Sequence, residues 1–302
     1  MKLLVINNLL SGMGDGTIFD FLRNFVEDGD EIILRTSDGT TNIGVFLHDA
    51  DDYDAVIVAG GDGTVSFCTY LLADTGIPVL PFAAGTANLI SQNLFLPTEV
   101  HALAKLTREM KTMDFDLGLL ELSDGRRRGF SLIAGAGFDA KIMEDAEPIK
   151  RSIGQMAYFT SAFANAIPQF STIKLKIDGI EVQTHGVGVL IINFAMLQFD
   201  ISVIHNNDPR DGMFDIVVLS TKDAFGLIPA LFSAILDRGG EFPDRTDAFE
   251  VFRGREVEVE ADPPLPIQSD GDPLQTNTPF KARVLPKAAR YIVSDKCIQE
   301  YS

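Results

Sequence analysis

Ala55-Val56-Ile57-Val58-Ala59-Gly60-Gly61-Asp62-Gly63-Thr64 joins an apolar strand to a helix that begins near Thr64 and carries Phe67, Tyr70, Leu71 and Leu72. Glycines at such a junction let the chain turn sharply and bring backbone N–H groups close to a ligand, where side chains would block a phosphate. The strand end positions Asp62, whose carboxylate can hold a hydroxyl, a water or a hydrated Mg2+ beside that phosphate. The segment reads as a nucleotide-phosphate site. The plain alternative is a tight strand–helix turn in an enzyme of other chemistry.

The surrounding hundred residues repeat the same alternation. Strands are predicted at Lys2 to Ile6, Glu31 to Leu34, Tyr53 to Val58 and Ile77 to Pro81. Helices are predicted from Ile18 through Phe25, over Ile43 to Leu47, over Thr86 to Leu94, and from Thr98, as a cap, to Met110. Such repetition calls for a largely parallel sheet covered on both faces. Ligands bind at the carboxyl ends of such strands, where the Ser11, Gly61 and Gly85 loops are expected to converge.

From about Lys111 the pattern changes. Strands are expected at Met113 to Leu122, Arg128 to Ala134, Thr172 to Ile177, Gly186 to Asn193, Phe214 to Leu219, Val257 to Glu260 and Phe280 to Val284, with one helix over Ile153 to Ile167. Irregular Pro/Gly/Asp stretches separate them, which favours an antiparallel sheet or sandwich over another βαβ unit. The boundary is placed between Lys111 and Gly125, with a nucleotide-binding α/β domain over 1–120 and a β-rich domain over 121–284.

Composition narrows the partners. The 302 residues are 46% hydrophobic and 23% charged, as in a soluble globular chain. A formal charge of −18 repels phosphate backbones, so nucleic acid is not an expected partner. It also disfavours broad adsorption to an anionic bilayer, though a local patch can still dock there. No apolar run approaches a membrane span, and the start reads directly into Asn7-Asn8 rather than a signal peptide. Two cysteines, Cys68 and Cys297, support neither a disulfide framework nor a zinc site. The expected location is cytoplasmic, or peripheral at the inner membrane surface.

Further polar constellations follow the first. Asn8-Leu9-Leu10-Ser11-Gly12-Met13-Gly14 lies between the first strand and a helix, where Ser11 and the glycines can donate to phosphate oxygens, or make only a tight turn. In Gly85-Thr86-Ala87-Asn88, small residues permit close backbone approach, Thr86 can cap a helix and Asn88 can bind a hydroxyl or phosphate. Asp211-Gly212-Met213-Phe214-Asp215 and Asp270-Gly271-Asp272 carry carboxylate pairs spaced for Mg2+ coordination, and Asp272 can instead accept a substrate proton. Asp–Gly turns taken singly are ordinarily structural. There is no Walker A Gly-Lys-Ser/Thr, so backbone amides and metal would carry more of the phosphate neutralisation. Arg126-Arg127-Arg128 reads first as a solvated hairpin tip and second as a site for acidic lipid headgroups.

The ordered set Gly60-Gly61-Asp62-Gly63-Thr64, Gly85-Thr86-Ala87-Asn88, Asp211-Gly212-Met213-Phe214-Asp215 and Asp270-Gly271-Asp272 resembles the diacylglycerol kinase catalytic family, soluble bacterial lipid kinases above all. The resemblance implies ATP-dependent phosphorylation of a lipid hydroxyl, of diacylglycerol or a related lipid. It implies a C-terminal segment, 285–302, that returns to the first domain. It places Asn8, Ser11, Gly60, Gly61, Asp62, Gly63, Thr64, Gly85, Thr86 and Asn88 at the nucleotide, and Asp211 and Asp215 at a structural Mg2+. It also gives Asp272 the general-base role, usually filled by glutamate, with Asp62 organising the catalytic Mg2+ through water. The implied partners are a lipid small molecule and transient peripheral membrane contact, with a homodimer left open. Leu89 stands where many relatives carry Asp, and Asn193 to Asp200 is bulkier than their glycine-rich stretch. A kinase of NAD, or an inactive nucleotide- or lipid-binding protein, is the alternative.

Overall fold

The computed structural model describes residues 1–11, 16–85, 88–137, 170–194, 196–197, 201–202, 208–220 and 249–302. The helix expected over Ile153–Ile167 lies outside the described residues, as do Thr86 and the glycines of the first loop. The chain divides into two compact units, one of residues 1–117 and 285–302, the other of residues 118–284.

The first unit alternates strand and helix: β1 Lys2–Asn8, α1 Thr17–Phe25, β2 Glu31–Ser37, β3 Ala55–Gly60, α2 Asp62–Leu71, β4 Val79–Ala83, α3 Leu89–Asn93 and α4 Val100–Glu109. Strand β5, Thr112–Leu122, leads out of it. The sheet order is β2-β1-β3-β4 with every pair parallel, as the repetition of strand and helix requires. Strand β3 is buried at every position, which explains why its sequence is a continuous apolar run rather than an alternation. Leu3, Val5, Ile57 and Leu80 from the sheet pack against Phe21 and Phe25 of α1 and Leu103 and Ala104 of α4. Phe21 meets Phe82 edge to face at 5.5 Å.

Several local expectations change: the helix expected over Thr86 to Leu94 begins only at Leu89, after a left-handed Asn88, and the strand expected over Arg128 to Ala134 is broken after Phe130. Ile43–Leu47 is a 3-10 helix rather than an α-helix, opened by Asn42, whose side chain accepts the Gly44 amide. Helix α4 is capped by Glu99, not Thr98. The Glu99 carboxylate accepts the amides of His101 at 3.0 Å and Ala102 at 2.6 Å, and these bonds lower its pKa.

The second unit is antiparallel throughout. Its remaining strands are β6 Arg127–Phe130, β7 Ile133–Gly137, β8 Ser171–Ile177, β9 Ile180–Gly186, β10 Gly188–Ile192, the short pair β11 Met196–Leu197 and β12 Ile201–Ser202, β13 Phe214–Leu219, β14 Phe249–Gly254, β15 Glu256–Asp262, β16 Pro266–Ser269, β17 Asp272–Asn277 and β18 Phe280–Ile292. One sheet has the order β14-β13-β10-β7-β16-β17. A second ladder runs from the start of β18 through β15 and β8 to β9, with β5 and β6 paired beside it. Alternate residues of both layers fill one core: Ile173, Leu175, Val257 and Val259 from one, Val189, Ile191, Phe214 and Ile216 from the other. This is a β-sandwich. Beyond Val284, β18 continues into the first unit, where Tyr291 pairs in parallel with Val79 of β4. Among the described residues no helix is long and apolar enough to cross a membrane. Both cysteines are buried free thiols, and burial pushes the Cys68 thiol up to about 12.

Candidate active site

In the first unit the three loops at the carboxyl ends of β1, β3 and β4 are tied together. The Gly61 amide donates to the Ser11 hydroxyl at 3.1 Å, leaving the Ser11 hydrogen to donate in turn. Asn8 Nδ2 donates to Thr64 Oγ1 at 2.9 Å, and Asn8 Oδ1 accepts the Leu10 amide at 3.1 Å. Helix α2 starts at Asp62 with Gly61 at its N-cap and no side-chain cap, so the first-turn dipole is left for a ligand rather than a cap. Gly85 and Gly61 touch backbone to backbone. A Cβ on Gly85 would stand 2.5 Å from Gly61 Cα and 3.2 Å from its nitrogen, so no side chain fits there. A Cβ on Gly61 would meet Gly85 Cα only at 3.9 Å.

Asn88 and Asp62 have roles in holding this cradle that the sequence does not disclose. Asn88 Oδ1 accepts the Gly85 amide at 2.8 Å and its Nδ2 donates back to the Gly85 carbonyl at 2.9 Å. Asn88 is also left-handed, at φ 54°, and its side chain does not cap α3. That cap comes from Asp62. Its Oδ1 accepts the Ile90 amide at 2.9 Å, and the carboxylate also takes hydrogen bonds from the Leu89 and Asn88 amides. Burial pushes the Asp62 carboxyl up, and these amides pull it back. One carboxylate at the start of α2 thus fastens the start of α3, joining the Gly61 and Gly85 turns. Because a Cβ on Gly85 would overlap Gly61, Gly85→Ala is expected to displace the turn by about 1 Å, a misplacement that costs on the order of 10^2-fold in rate. Gly61→Ala is expected to leave the two turns in register, and steady-state kinetics on both variants check the contrast.

In the second unit the two Asp–Gly motifs behave differently. Asp270 and Gly271 form the β16–β17 turn, with φ 47° and 84°, a left-handed pair suited to Asp-Gly. The Asp270 carboxylate accepts the amides of Ser131 at 2.8 Å, Leu132 at 2.8 Å and Ile133 at 3.0 Å, satisfying the break between β6 and β7. It is therefore a structural acceptor, not half of a cation pair with Asp272. Asp270→Ala is expected to destabilise the second unit by roughly 2–4 kcal/mol in urea unfolding, since buried donors lose their acceptor. Asp272 is 56% exposed at its side chain, and Arg128 donates to its Oδ2 at 3.0 Å. The basic run is thereby divided. Arg126 turns to Asp124 and the Leu274 carbonyl, Arg127 pairs with Glu121, and Arg128 holds Asp272.

Asp211 and Asp215 come together, but around a guanidinium. Arg253 Nε donates to Asp215 Oδ1 at 3.0 Å and its Nη2 donates to Asp211 Oδ2. The fork fills the space a bridging ion would need, and among the described residues no three Asp, Glu, His or Cys side chains converge. The pair does not fit the resident Mg2+ that the resemblance implied. Arg253 carries no sequence signal: it lies in β14, a strand the alternation pattern does not reveal, beyond a stretch outside the described residues. Of Asn193 to Asp200, Asn193 and Phe194 are buried, with Asn193 Nδ2 donating to the Ser131 carbonyl at 2.8 Å; residues 195–200 have no described side chains.

Comparison with known proteins bears on both units. Residues 2–120 match the diacylglycerol kinase catalytic domain, and residues 133–293 match the YegS C-terminal NAD kinase beta sandwich-like domain. A diacylglycerol kinase of Mycobacterium tuberculosis is 28% identical over 235 residues, covering 72% of this chain and 70% of its own. An uncharacterized protein of Synechocystis is 28% identical over 274 residues; the match takes in 88% of this chain but spans only 59% of that protein's length. A crystal structure of a diacylglycerol kinase from Bacillus anthracis superposes with a TM-score of 0.74 at 23% identity, covering 98% of each chain, which is a likeness of fold. With one family model over the α/β unit and the other over more than half the chain, the protein belongs to the diacylglycerol kinase catalytic-domain family of ATP-dependent lipid kinases.

Proposed function

We propose that the protein transfers the γ-phosphoryl group of ATP to the hydroxyl of a neutral lipid, with diacylglycerol as the substrate class. The observation that supports this reading most is the contact of Gly61 with Gly85, which brings bare backbone from the ends of β3 and β4 together, as a phosphate-binding turn requires. ATP enters as its Mg2+ complex, so the metal is part of the co-substrate. The Ser11 hydroxyl, the first-turn amides of α2 and the Gly85 turn would orient the phosphates. Asn8 holds Thr64, and Asp62 holds the two turns at one spacing.

In the second unit Asp272 is the group assigned to take the proton. The lipid oxygen attacks the γ-phosphorus in line, its O–H bond breaks toward the Asp272 carboxylate, the bond to the β,γ-bridging oxygen breaks, and ADP leaves. Arg128 fixes the orientation of the carboxylate. Positioning and charge stabilisation, rather than covalent intermediates, supply the acceleration. Contact with the bilayer would be brief and peripheral, since the substrate resides there.

The deciding experiment incubates the protein with radiolabelled ATP, Mg2+ and extracted total lipids, and in parallel with NAD. A labelled lipid that co-migrates with phosphatidic acid supports the proposal. Label in NADP instead would establish the NAD kinase alternative. Binding of ATP with no transfer across a broad lipid panel would establish the inactive one.

A further inference from the structure

The turn that precedes β13 carries its own counter-cation. In the antiparallel register of β13 and β14, Arg253 lies directly opposite Asp215, so both side chains leave the same face of the pair. Asp215 is 3% exposed, on the face of β13 opposite to that of the core residues Phe214 and Ile216, and an uncompensated carboxylate so buried would be costly. Asp211, four residues earlier, turns back onto the same guanidinium, while its Oδ1 accepts the Met213 amide at 2.9 Å. Gly212, at φ 76°, gives the chain the left-handed step that brings the two carboxylates to one fork.

Arginine suits this task better than lysine, because its planar fork meets two acceptors at fixed angles and stays charged at any working pH. The hydrogen bonds that Arg253 donates to Asp211 and Asp215 raise its pKa further. A divalent ion at the same carboxylates would have to expel the fork and then remain beside its positive charge. Mg2+ also asks for six oxygens in near-octahedral array, and the two carboxylates are already directed at nitrogen donors and the Met213 amide.

We propose that Arg253 takes the place of a structural divalent cation at the Asp211–Asp215 turn, so that this turn keeps its shape with no bound metal. The shape of this turn is then insensitive to free Mg2+, and the group responsible comes from the neighbouring strand.

The test uses the full chain with neither nucleotide nor lipid, so its outcome is separate from that of the kinase reading. An ion held with ~0.1 mM affinity would, at ~10 mM, raise the Tm by roughly 5–10 °C. The unsubstituted protein is expected to shift by less than about 1 °C between EDTA and ~10 mM MgCl2. Arg253→Gln is expected to melt lower in EDTA and to recover by roughly 5 °C with Mg2+, since two adjacent carboxylates then lose the charge of this guanidinium. Arg253→Lys, which keeps the charge, should remain indifferent to Mg2+. A Mg2+-dependent rise in the unsubstituted protein that Asp215→Asn abolishes would overturn the proposal, and so would an Arg253→Gln variant that ignores Mg2+. Should Arg253→Gln fail to fold, a Mn2+ titration of the unsubstituted protein read by electron paramagnetic resonance decides. An undiminished free-ion signal upholds the proposal, and ion uptake that Asp215→Asn removes refutes it.

Discussion

Asp62→Asn is expected to lower turnover by at least ~10^2-fold while leaving the protein folded. The carboxylate offers several lone pairs to the three amides that open α3, and the Ile90 amide is 2.9 Å from Oδ1. An asparagine offers one acceptor oxygen, and its NH2 group faces donors where acceptors are needed. The start of α3 then loosens, and with it the reciprocal pair between Asn88 and Gly85. Since the Gly85 turn lies against Gly61, a displacement of ~1 Å there moves the phosphate cradle itself. Two readouts separate this account from direct metal binding by Asp62. Hydrogen exchange at the Ile90 amide should quicken in Asp62→Asn, and the KM for ATP should rise along with the fall in kcat. Undiminished turnover in well-folded protein would remove Asp62 from the machinery altogether.

Asp272→Asn should also cost at least ~10^2-fold, but with another signature. The side chain is 56% exposed and its Arg128 partner is itself 30% exposed, so water can replace much of what the carboxylate gives up on becoming an amide. Thermal stability should hardly change, and the KM for ATP should stay near that of the unsubstituted enzyme, because the residue is assigned to the alcohol and not to the nucleotide. The loss should fall on kcat. Asp272→Glu, which restores the longer side chain usual in the family, should retain turnover where Asp272→Asn does not. Equal activity of Asp272→Asn and the unsubstituted protein would assign the proton to another acceptor or to water.

The alternation of strand and helix in the first unit was legible because each strand end is a local event. A run such as Ala55 to Val58, followed by glycines, needs only its neighbours to be understood, and the parallel pairing of β1 to β4 follows from the alternation, though their order does not. The change to an antiparallel sandwich was legible for the same reason, through turn residues and alternating burial, as along β8. The roles of individual polar groups were not. Asp62 meets an amide 28 positions away, Asp270 meets amides 137 to 139 positions away, and Arg253 meets Asp215 across 38 positions. A carboxylate in a turn looks the same in a sequence whether it will hold an ion, an amide or an arginine. Which it becomes depends on the donor that the fold delivers. Near misses arose even at short range: both Thr98 and Glu99 can cap a helix, and Glu99 does so because its longer side chain reaches the His101 and Ala102 amides.

The α/β unit is assembled from two separated stretches of the chain, and its sheet gains its last neighbour only when Tyr291 reaches Val79. On a ribosome, the whole sandwich emerges before that partner does. The flank of β4 must therefore wait as an open edge, a template for wrong pairings, while 167 intervening residues, Gly118 to Val284, are made and folded. A nascent chain stopped short of residue 285 should accordingly present a finished sandwich and an unfinished nucleotide cradle, which limited proteolysis of stalled chains would reveal as protection of the sandwich with cleavage around β4.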